Sequence, residues 1–551
     1  MTRDLRGPGP RRPGRRTFVA LRFALLLAGG ALLLAEDLPA QDATIPAPAA
    51  GAPSGTATAA TADPQSRRRR RRTTRRSRRR VAEPPIPRAT TPTSAGALSN
   101  DVGVMLGGGT RSGRWGVMIV SLTRGDTLYQ RGADELLQPA STMKLMTAAL
   151  ALENFGPEHQ FTTEVFRDGA LDSSGAVNGS LYLRGAGDPG FSNRFLRGDP
   201  EAPVDLLARL VAGGAGVKRV RGDLVADASA FEPRKIPEGW QSRYLGLGYA
   251  APVSALSLNE NTVWVVVEPG MAGAPAIVRF EPSSSGITLG NRVRTVKGSR
   301  GASLAIRRAG NGAVEARGWI GSRSSARRYE LVVDEPALFT AGALRDALTA
   351  QGVTVEGAVR LGATPGNAVS IAGLPSPPLS RLIAVMNRES VNHFGELLFR
   401  NAARAGAGEG SAVAGNRLLR HFAAQKLGVD STDVYAADGS GLSVLDRVTP
   451  RAMVHLLDYA HRAPWSASFH ASLPVAGESE LLRHRMRATP AQGNLHAKTG
   501  TTNTVISLAG YVTALDGEVI AFAFIYNGND RARARATIDQ MGATLAGFVR
   551  E

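Results

Sequence analysis

The chain predicts a mixed α/β fold of the α+β kind, with an antiparallel sheet built from both chain ends, helices between them, and a mostly β inserted region. Three observations carry this. Trp115 to Leu122 and Thr127 to Gln130 read as strands around an Arg124-Gly125-Asp126 turn. A second hairpin, Ser507 to Val512 and Val519 to Tyr526 across Asp516-Gly517, lies near the other end. Between 160 and 375 the text is rich in Gly and turn signals and in short Val-bearing runs such as Thr262 to Val267.

The elements follow in order. Residues 1–40 read as an export signal or retained anchor: Arg11, Arg12, Arg15 and Arg16 precede an apolar run from Phe23 to Ala35, with cleavage expected after Ala40. The run is short for a comfortable span, although including Thr17 to Leu21 would allow an anchor. Residues 41–97 should be a disordered tether rich in Ala, Pro and Thr, because so little apolar surface cannot offset chain entropy. Eleven Arg fall within residues 67–80. The globular chain should start near Leu98, with Gly107-Gly108-Gly109 a flexible approach to the first strand. A helix runs from Ser141 through Leu152, since Met143, Met146, Ala149 and Leu150 recur at helical spacing. The partition is 98–160 for the first part of the catalytic domain, 161–375 for the insertion, with one helix near Leu344 to Ala350, and 376–551 for the second part. From Leu379 to Arg404 two helices flank a break at Glu389-Ser390-Val391, and a last helix spans about Ala534 to Phe548.

Composition narrows the function classes. The 551 residues carry a formal charge of +19, but residues 98–551 hold 47 basic and 41 acidic side chains, so most of the excess lies in the tether. A folded nucleic-acid-binding face is not expected from such a distribution. The tract at Arg67–Arg80 instead suggests a tether to anionic envelope polymers or lipids. There is no cysteine, which removes disulfide and thiolate chemistry. The eight histidines match no strong ligand pattern, so no metal or other cofactor is expected.

Three short patterns carry chemistry. Ser141-Thr142-Met143-Lys144 puts a hydroxyl and an amine on one helix face, a turn apart. An unprotonated lysine beside a serine can remove its proton and make it a nucleophile. Ser390-Val391-Asn392 sits at a helix-to-helix break, where a second hydroxyl can relay a proton and an amide can orient a carbonyl. Lys498-Thr499-Gly500-Thr501 precedes the C-terminal hairpin, so it should lie on an edge strand. Its cation would favour the neutral form of Lys144 by like-charge repulsion, and Gly500 would let a ligand approach the backbone. Each pattern alone is also explained by a helix cap, a turn or an exposed lysine. The lysine count sharpens them: only 144, 218, 235, 297, 426 and 498 are Lys among 66 basic residues. Where charge alone suffices the chain uses Arg, whose guanidinium does not deprotonate.

Together and in this order, the three patterns resemble the Ser-x-x-Lys, Ser-x-Asn, Lys-Thr-Gly signature of penicillin-binding proteins and serine β-lactamases. The 249 residues from Ser141 to Ser390, and the absence of Glu-x-x-Leu-Asn between the second and third patterns, are similar to low-molecular-mass class C penicillin-binding proteins. These form the D-alanyl-D-alanine carboxypeptidase and endopeptidase family. Tyr182-Leu183-Arg184-Gly185-Ala186-Gly187-Asp188-Pro189, Ala251-Pro252-Val253-Ser254-Ala255-Leu256, Asp438-Gly439-Ser440-Gly441-Leu442-Ser443 and Ser472-Leu473-Pro474-Val475-Ala476-Gly477 resemble that family too.

The resemblance implies a penicillin-binding/β-lactamase-like transpeptidase domain. It implies Ser141 as nucleophile, Lys144 as base, Ser390 and Asn392 as relay and orienter, and Lys498 as tuner of the site. Thr499 would hold the substrate carboxylate, and backbone N–H groups of Ser141 and Thr501 would form the oxyanion hole. Peptidoglycan and β-lactams would be the partners, and the enzyme would be exported to the periplasm or cell envelope. Some relatives hold the diamino acid of the stem peptide in an aromatic and acidic subsite; here Trp240-Gln241-Ser242-Arg243-Tyr244 contains no acid. A serine β-lactamase and a non-catalytic polyanion- or wall-binding scaffold remain alternatives at the level of sequence.

Overall fold

A computed structural model describes residues 87–309 and 313–551. The expected signal, the Arg tract and most of the expected tether lie outside the described residues.

Five antiparallel strands form the catalytic sheet, in the order His496–Thr501, Val505–Thr513, Val519–Asn527, Arg114–Ser121, Thr127–Arg131. Strands from the two chain ends meet at its centre, with Trp115 opposite Tyr526 and Ile119 opposite Phe522. Alternation along Val519–Asn527 feeds two cores, because successive side chains leave opposite faces of a sheet. Ile520, Phe522 and Phe524 join Val117 and Ile119 beneath helices Ala95–Gly109 and Arg531–Ala546. Ala521, Ala523 and Ile525 face the helices that carry the site, Met143–Phe155 and Asn392–Ala407, and the supporting helix Pro450–Arg462.

Regular structure precedes the expected boundary near Leu98. Ser94 caps helix Ala95–Gly109 by accepting from the Ala97 N–H, and residues 89–93 are tied to the last helix and the C-terminus. Gly107-Gly108-Gly109, expected as a flexible approach, ends this helix. Close packing overrides glycine's weak helix propensity there: a Cβ at Gly109 would sit 2.6 Å from the Thr537 hydroxyl on helix Arg531–Ala546.

Residues 162–375 build a separate core. Its main sheet runs Val359–Leu361, Leu224–Asp227, Leu181–Arg184, Thr162–Arg167, Val369–Pro375, with parallel and antiparallel neighbours. Two α-helices pack on it, Ala202–Arg209 and Pro336–Ala350, where one was expected. The missed helix begins at Ala202 with Pro203 in its first turn and continues as a π turn over Leu210–Gly214, so its text carries the Pro and Gly that read as turn signals. Two further three-stranded sheets lie within 262–332, and one has the order Leu289–Val296, Val314–Gly321, Ala302–Arg308. Two of the quoted phrases pack together: the Gly187 N–H donates to the Ala255 carbonyl at 2.8 Å, and Asn401 on helix Asn392–Ala407 donates to the Gly187 carbonyl at 2.7 Å.

Backbone meets backbone where helix Pro336–Ala350 crosses the 283–286 turn. A Cβ at Gly342 would lie 2.0 Å from the Gly286 nitrogen. Helix propensity alone would make Gly342→Ala stabilising by about 1 kcal/mol. The clash wins, and a net loss of about 1–3 kcal/mol is expected. Thermal unfolding checks the sign: a midpoint at or above the parent's would contradict this packing.

Candidate active site

Ser141 lies in the short 3-10 turn Ala140–Thr142 that leads into helix Met143–Phe155. Ala140 is left-handed at φ 49, a conformation that costs a non-glycine residue about 1–3 kcal/mol. The turn is held from several sides. The Pro139 carbonyl accepts from the Thr142 and Ser507 hydroxyls, both at 2.7 Å. Gln138 exchanges two hydrogen bonds with the Asn527 side chain on the central strand, at 2.8 and 3.0 Å. Gly441, at φ 81, abuts the Ala140 carbonyl so closely that a Cβ would sit 1.9 Å from it. The helix then places Lys144 one turn from Ser141, with Nζ 3.2 Å from Oγ.

Lys144 is fully buried. Its amine also donates to Asn392 Oδ1 at 2.7 Å and to the Ser440 carbonyl at 2.6 Å. Burial lowers its pKa to about 8, opposed by the negative charges of Asp438, Glu396 and Asp446. A neutral amine has two N–H groups and one lone pair. Two carbonyl-type oxygens take the N–H groups, which leaves the lone pair for the Ser141 hydroxyl. The seat around Lys144 therefore fits the form that can accept a proton.

Ser390 occupies the break between helices Leu379–Arg388 and Asn392–Ala407, left-handed at φ 60. Its Oγ accepts from Lys498 Nζ at 2.9 Å, and that amine also donates to the Thr499 carbonyl at 3.0 Å. Lys498 is buried on the sheet's edge strand, and its pKa falls well below the ordinary value through burial and then the charge of Lys144. Asn392 is fixed from its other end by donating to the Tyr249 carbonyl of the insertion at 2.8 Å. Arg194, also from the insertion, bridges Glu389 beside the break to Glu260.

The structure joins Ser141, Lys144 and Asn392 in one hydrogen-bonded group and Ser390 with Lys498 in another. Gly500 was expected to admit a ligand. Its bare Cα serves the protein's own packing: a Cβ would meet the Ser507 hydroxyl at 2.1 Å and the Pro139 carbonyl at 2.7 Å, so the residue lets the nucleophile turn lie against the edge strand. Thr499 is partly exposed and Thr501 exposed at the end of that strand. Next to the Ala140–Thr142 turn a small cleft is lined by Gln138, Ala140, Arg243, Tyr244, Gly441 and Thr502.

The residue that sequence reasoning missed is Asp438. Fully buried, it accepts from the N–H groups of Ser440, Gly441 and Ser443 at 3.0, 2.6 and 2.7 Å, and from the Trp240 indole N–H at 2.7 Å. It thereby shapes the loop whose Ser440 carbonyl holds Lys144. Trp240 is thus a buried clamp on this loop. The available signal was an aspartate followed by glycine and serine, the composition of a side-chain-capped turn. Glu396 backs the same loop, accepting from the Gly439 N–H at 3.1 Å and pairing with buried Arg400 at 2.7 Å; burial and Asp438 push its pKa up to about 7.

Two strained turns bring two serine–amine pairs together at the edge of an antiparallel sheet, which defines an active-site serine hydrolase of the penicillin-binding fold. The sequence pattern of the D-Ala-D-Ala carboxypeptidase 3 (S13) family matches residues 104–547. The chain belongs to this family and is a serine D,D-peptidase. It is 36% identical over 448 residues to a D-alanyl-D-alanine carboxypeptidase of Actinomadura sp. (strain R39), spanning 79% of this chain and 81% of that protein. It is 25% identical over 422 residues to D-alanyl-D-alanine carboxypeptidase DacB of Haemophilus influenzae, spanning 75% and 85%. The crystal structure of penicillin binding protein 4 (dacB) from Haemophilus influenzae superposes with a TM-score of 0.66 at 24% identity, covering 79% of this chain and 96% of that one.

Asp438→Asn replaces one acceptor oxygen by an N–H₂ group and strands buried donors of Ser443 and Trp240. Each unmet buried group costs about 1–3 kcal/mol. A stability loss of about 2–5 kcal/mol is expected in denaturant unfolding, and an unchanged midpoint would remove Asp438 from this role.

Proposed function

We propose that Ser141 attacks the penultimate D-Ala carbonyl of a peptidoglycan stem peptide while neutral Lys144 takes its proton. The observation that carries this is the placement of the Lys144 amine between two acceptor oxygens and the Ser141 hydroxyl. Ser390, hydrogen-bonded to Lys498, lies where it can return a proton to the leaving amine, and Asn392 can orient the substrate amide. Backbone N–H groups of Ser141 and Thr501 would hold the developing oxyanion, and Thr499 the terminal carboxylate, with Gly500 keeping the strand tight against the nucleophile turn. Loss of D-Ala or of a cross-linked peptide gives an acyl-serine that water hydrolyses. The first outcome is carboxypeptidase and the second endopeptidase activity. A β-lactam would be trapped at the acyl stage, consistent with the lack of Glu-x-x-Leu-Asn in the sequence.

The substrate and the N-terminal sequence support a working site outside the cytoplasm. Residues 1–40 would direct export to the periplasm or cell envelope, as cleaved signal or anchor. Among the described residues no helix is long and apolar enough to cross a membrane. The eleven arginines in 67–80 would then hold the enzyme near anionic wall polymers or lipids, at up to about 1 kcal/mol each.

Penicillin labelling tests the assignment. Label should map to Ser141 and vanish in Ser141→Ala, and Lys144→Arg should acylate at least 100-fold more slowly, because guanidinium stays protonated. The parent's acylation rate should rise with pH through about 8 and then level, since the active form of Lys144 is the deprotonated one. Label elsewhere, or normal acylation by Lys144→Arg, overturns the roles.

Deleting residues 67–80 should weaken salt-sensitive binding to anionic polymer or lipid and leave penicillin acylation unchanged. Screening over about 10 Å at 0.1 M salt should abolish most of the difference. Equal binding by both forms across a salt series would contradict the tether.

A further inference from the structure

Charge within the folded chain is concentrated in one place. Residues 262–332, the two three-stranded sheets of the insertion, carry eleven basic and four acidic side chains, a net +7. The rest of 98–551 nets −1. Arg279, Arg308, Arg317 and Arg328 pair with acids, Asp334 just beyond the two sheets among them, and the surplus that remains lies on this sheet pair.

Its geometry is equally specific. In the sheet Leu289–Val296, Val314–Gly321, Ala302–Arg308 one face is buried through Val293, Thr295, Ala316 and Ile320. On the other, Arg292 stands opposite Arg317 and Arg294 opposite Trp319, with Ser303 on Trp319's far side. Arg292 and Arg317 thus stand side by side across a parallel strand pair. Arg317 pairs with Glu315, whereas Arg292 and Arg294 make no ion pair or side-chain hydrogen bond among the described residues. Trp319 is 37% exposed on the central strand with small neighbours, Ser303 opposite and Gly301 3.4 Å from the end of its ring when given a Cβ. The result is a flat indole at the centre of an open sheet, flanked by guanidinium groups free to take carboxylates bidentately.

We propose that this sheet face is a docking surface for the wall polymer itself: an anionic glycan strand whose sugar ring stacks on Trp319 and whose peptide carboxylates engage Arg292 and Arg294. The proposal rests on the D,D-peptidase reading, because it takes the polymeric form of that enzyme's substrate as the occupant. Charge complementarity favours it, since free carboxylates recur along the strand, and an exposed aromatic plane matches the apolar face of a sugar ring rather than a lipid headgroup. Nothing in the chemistry at Ser141 needs the contact, so it would raise the local supply of peptide ends without altering bond cleavage.

The test uses the full chain and the chain lacking residues 67–80, so that binding by the tract is measured separately. Purified insoluble peptidoglycan is sedimented with the parent, R292S/R294S and Trp319→Ala. Both variants should lose at least fivefold in binding at low salt. The gap should close with salt for R292S/R294S and persist for Trp319→Ala, because screening acts on charges and not on stacking. Penicillin acylation and turnover of a soluble peptide ending in D-Ala-D-Ala should match the parent, which also reports an intact fold. Parent-like wall binding by both variants overturns the proposal, as does a loss seen only with vesicles of anionic phospholipid. If the parent itself fails to cleave the soluble peptide, the D,D-peptidase reading falls instead, whatever the sedimentation shows.

Discussion

Burying an amine so that it gives up its proton more readily than a lysine in water is the constraint around which this molecule is arranged. Lys144 has no exposure to water, and three buried carboxyl groups nearby favour its charged form. Desolvation outweighs them because the amine has no direct carboxylate partner: its neighbours are a carbonyl, an amide oxygen and a hydroxyl. Each neighbour comes from a different segment, so the proton-accepting state depends on the fold being assembled rather than on local sequence.

The insertion is part of that assembly. Tyr249 anchors Asn392, Arg194 ties down the Glu389 end of the helix break, and Trp240 supplies the fourth hydrogen bond to Asp438. These contacts reach the hydrogen-bond partners of the catalytic groups without reaching the reacting atoms. They account for the way two left-handed non-glycine residues, Ala140 and Ser390, persist in turns that would relax in isolation.

Much of this was legible in the sequence. The hairpin across Asp516-Gly517 declares itself by turn chemistry, and the three patterns by order, spacing and the scarcity of lysine. What stayed hidden is what depends on distant partners. Asp438 bonds mainly to backbone N–H groups and to an indole some two hundred residues away, and neither leaves a periodic trace. Gly107 to Gly109 read as loop because propensity is local, whereas Gly109 packs so closely on Thr537 that only glycine fits there. The use of Gly500 was misjudged for a related reason: sequence indicates that space is needed at a glycine, and not whether substrate or protein fills it.

The order of segments around Ser141 carries a consequence for biosynthesis. Ser141 and Lys144 emerge from the ribosome early, but Lys498 and the two strands that complete the sheet come from the last tenth of this sequence, where Arg550 pairs with both Asp126 and Glu518. A nascent or prematurely terminated chain therefore owns its serine without the surroundings that make it reactive. Strands far along the chain from Ser141 thus close the sheet beside it.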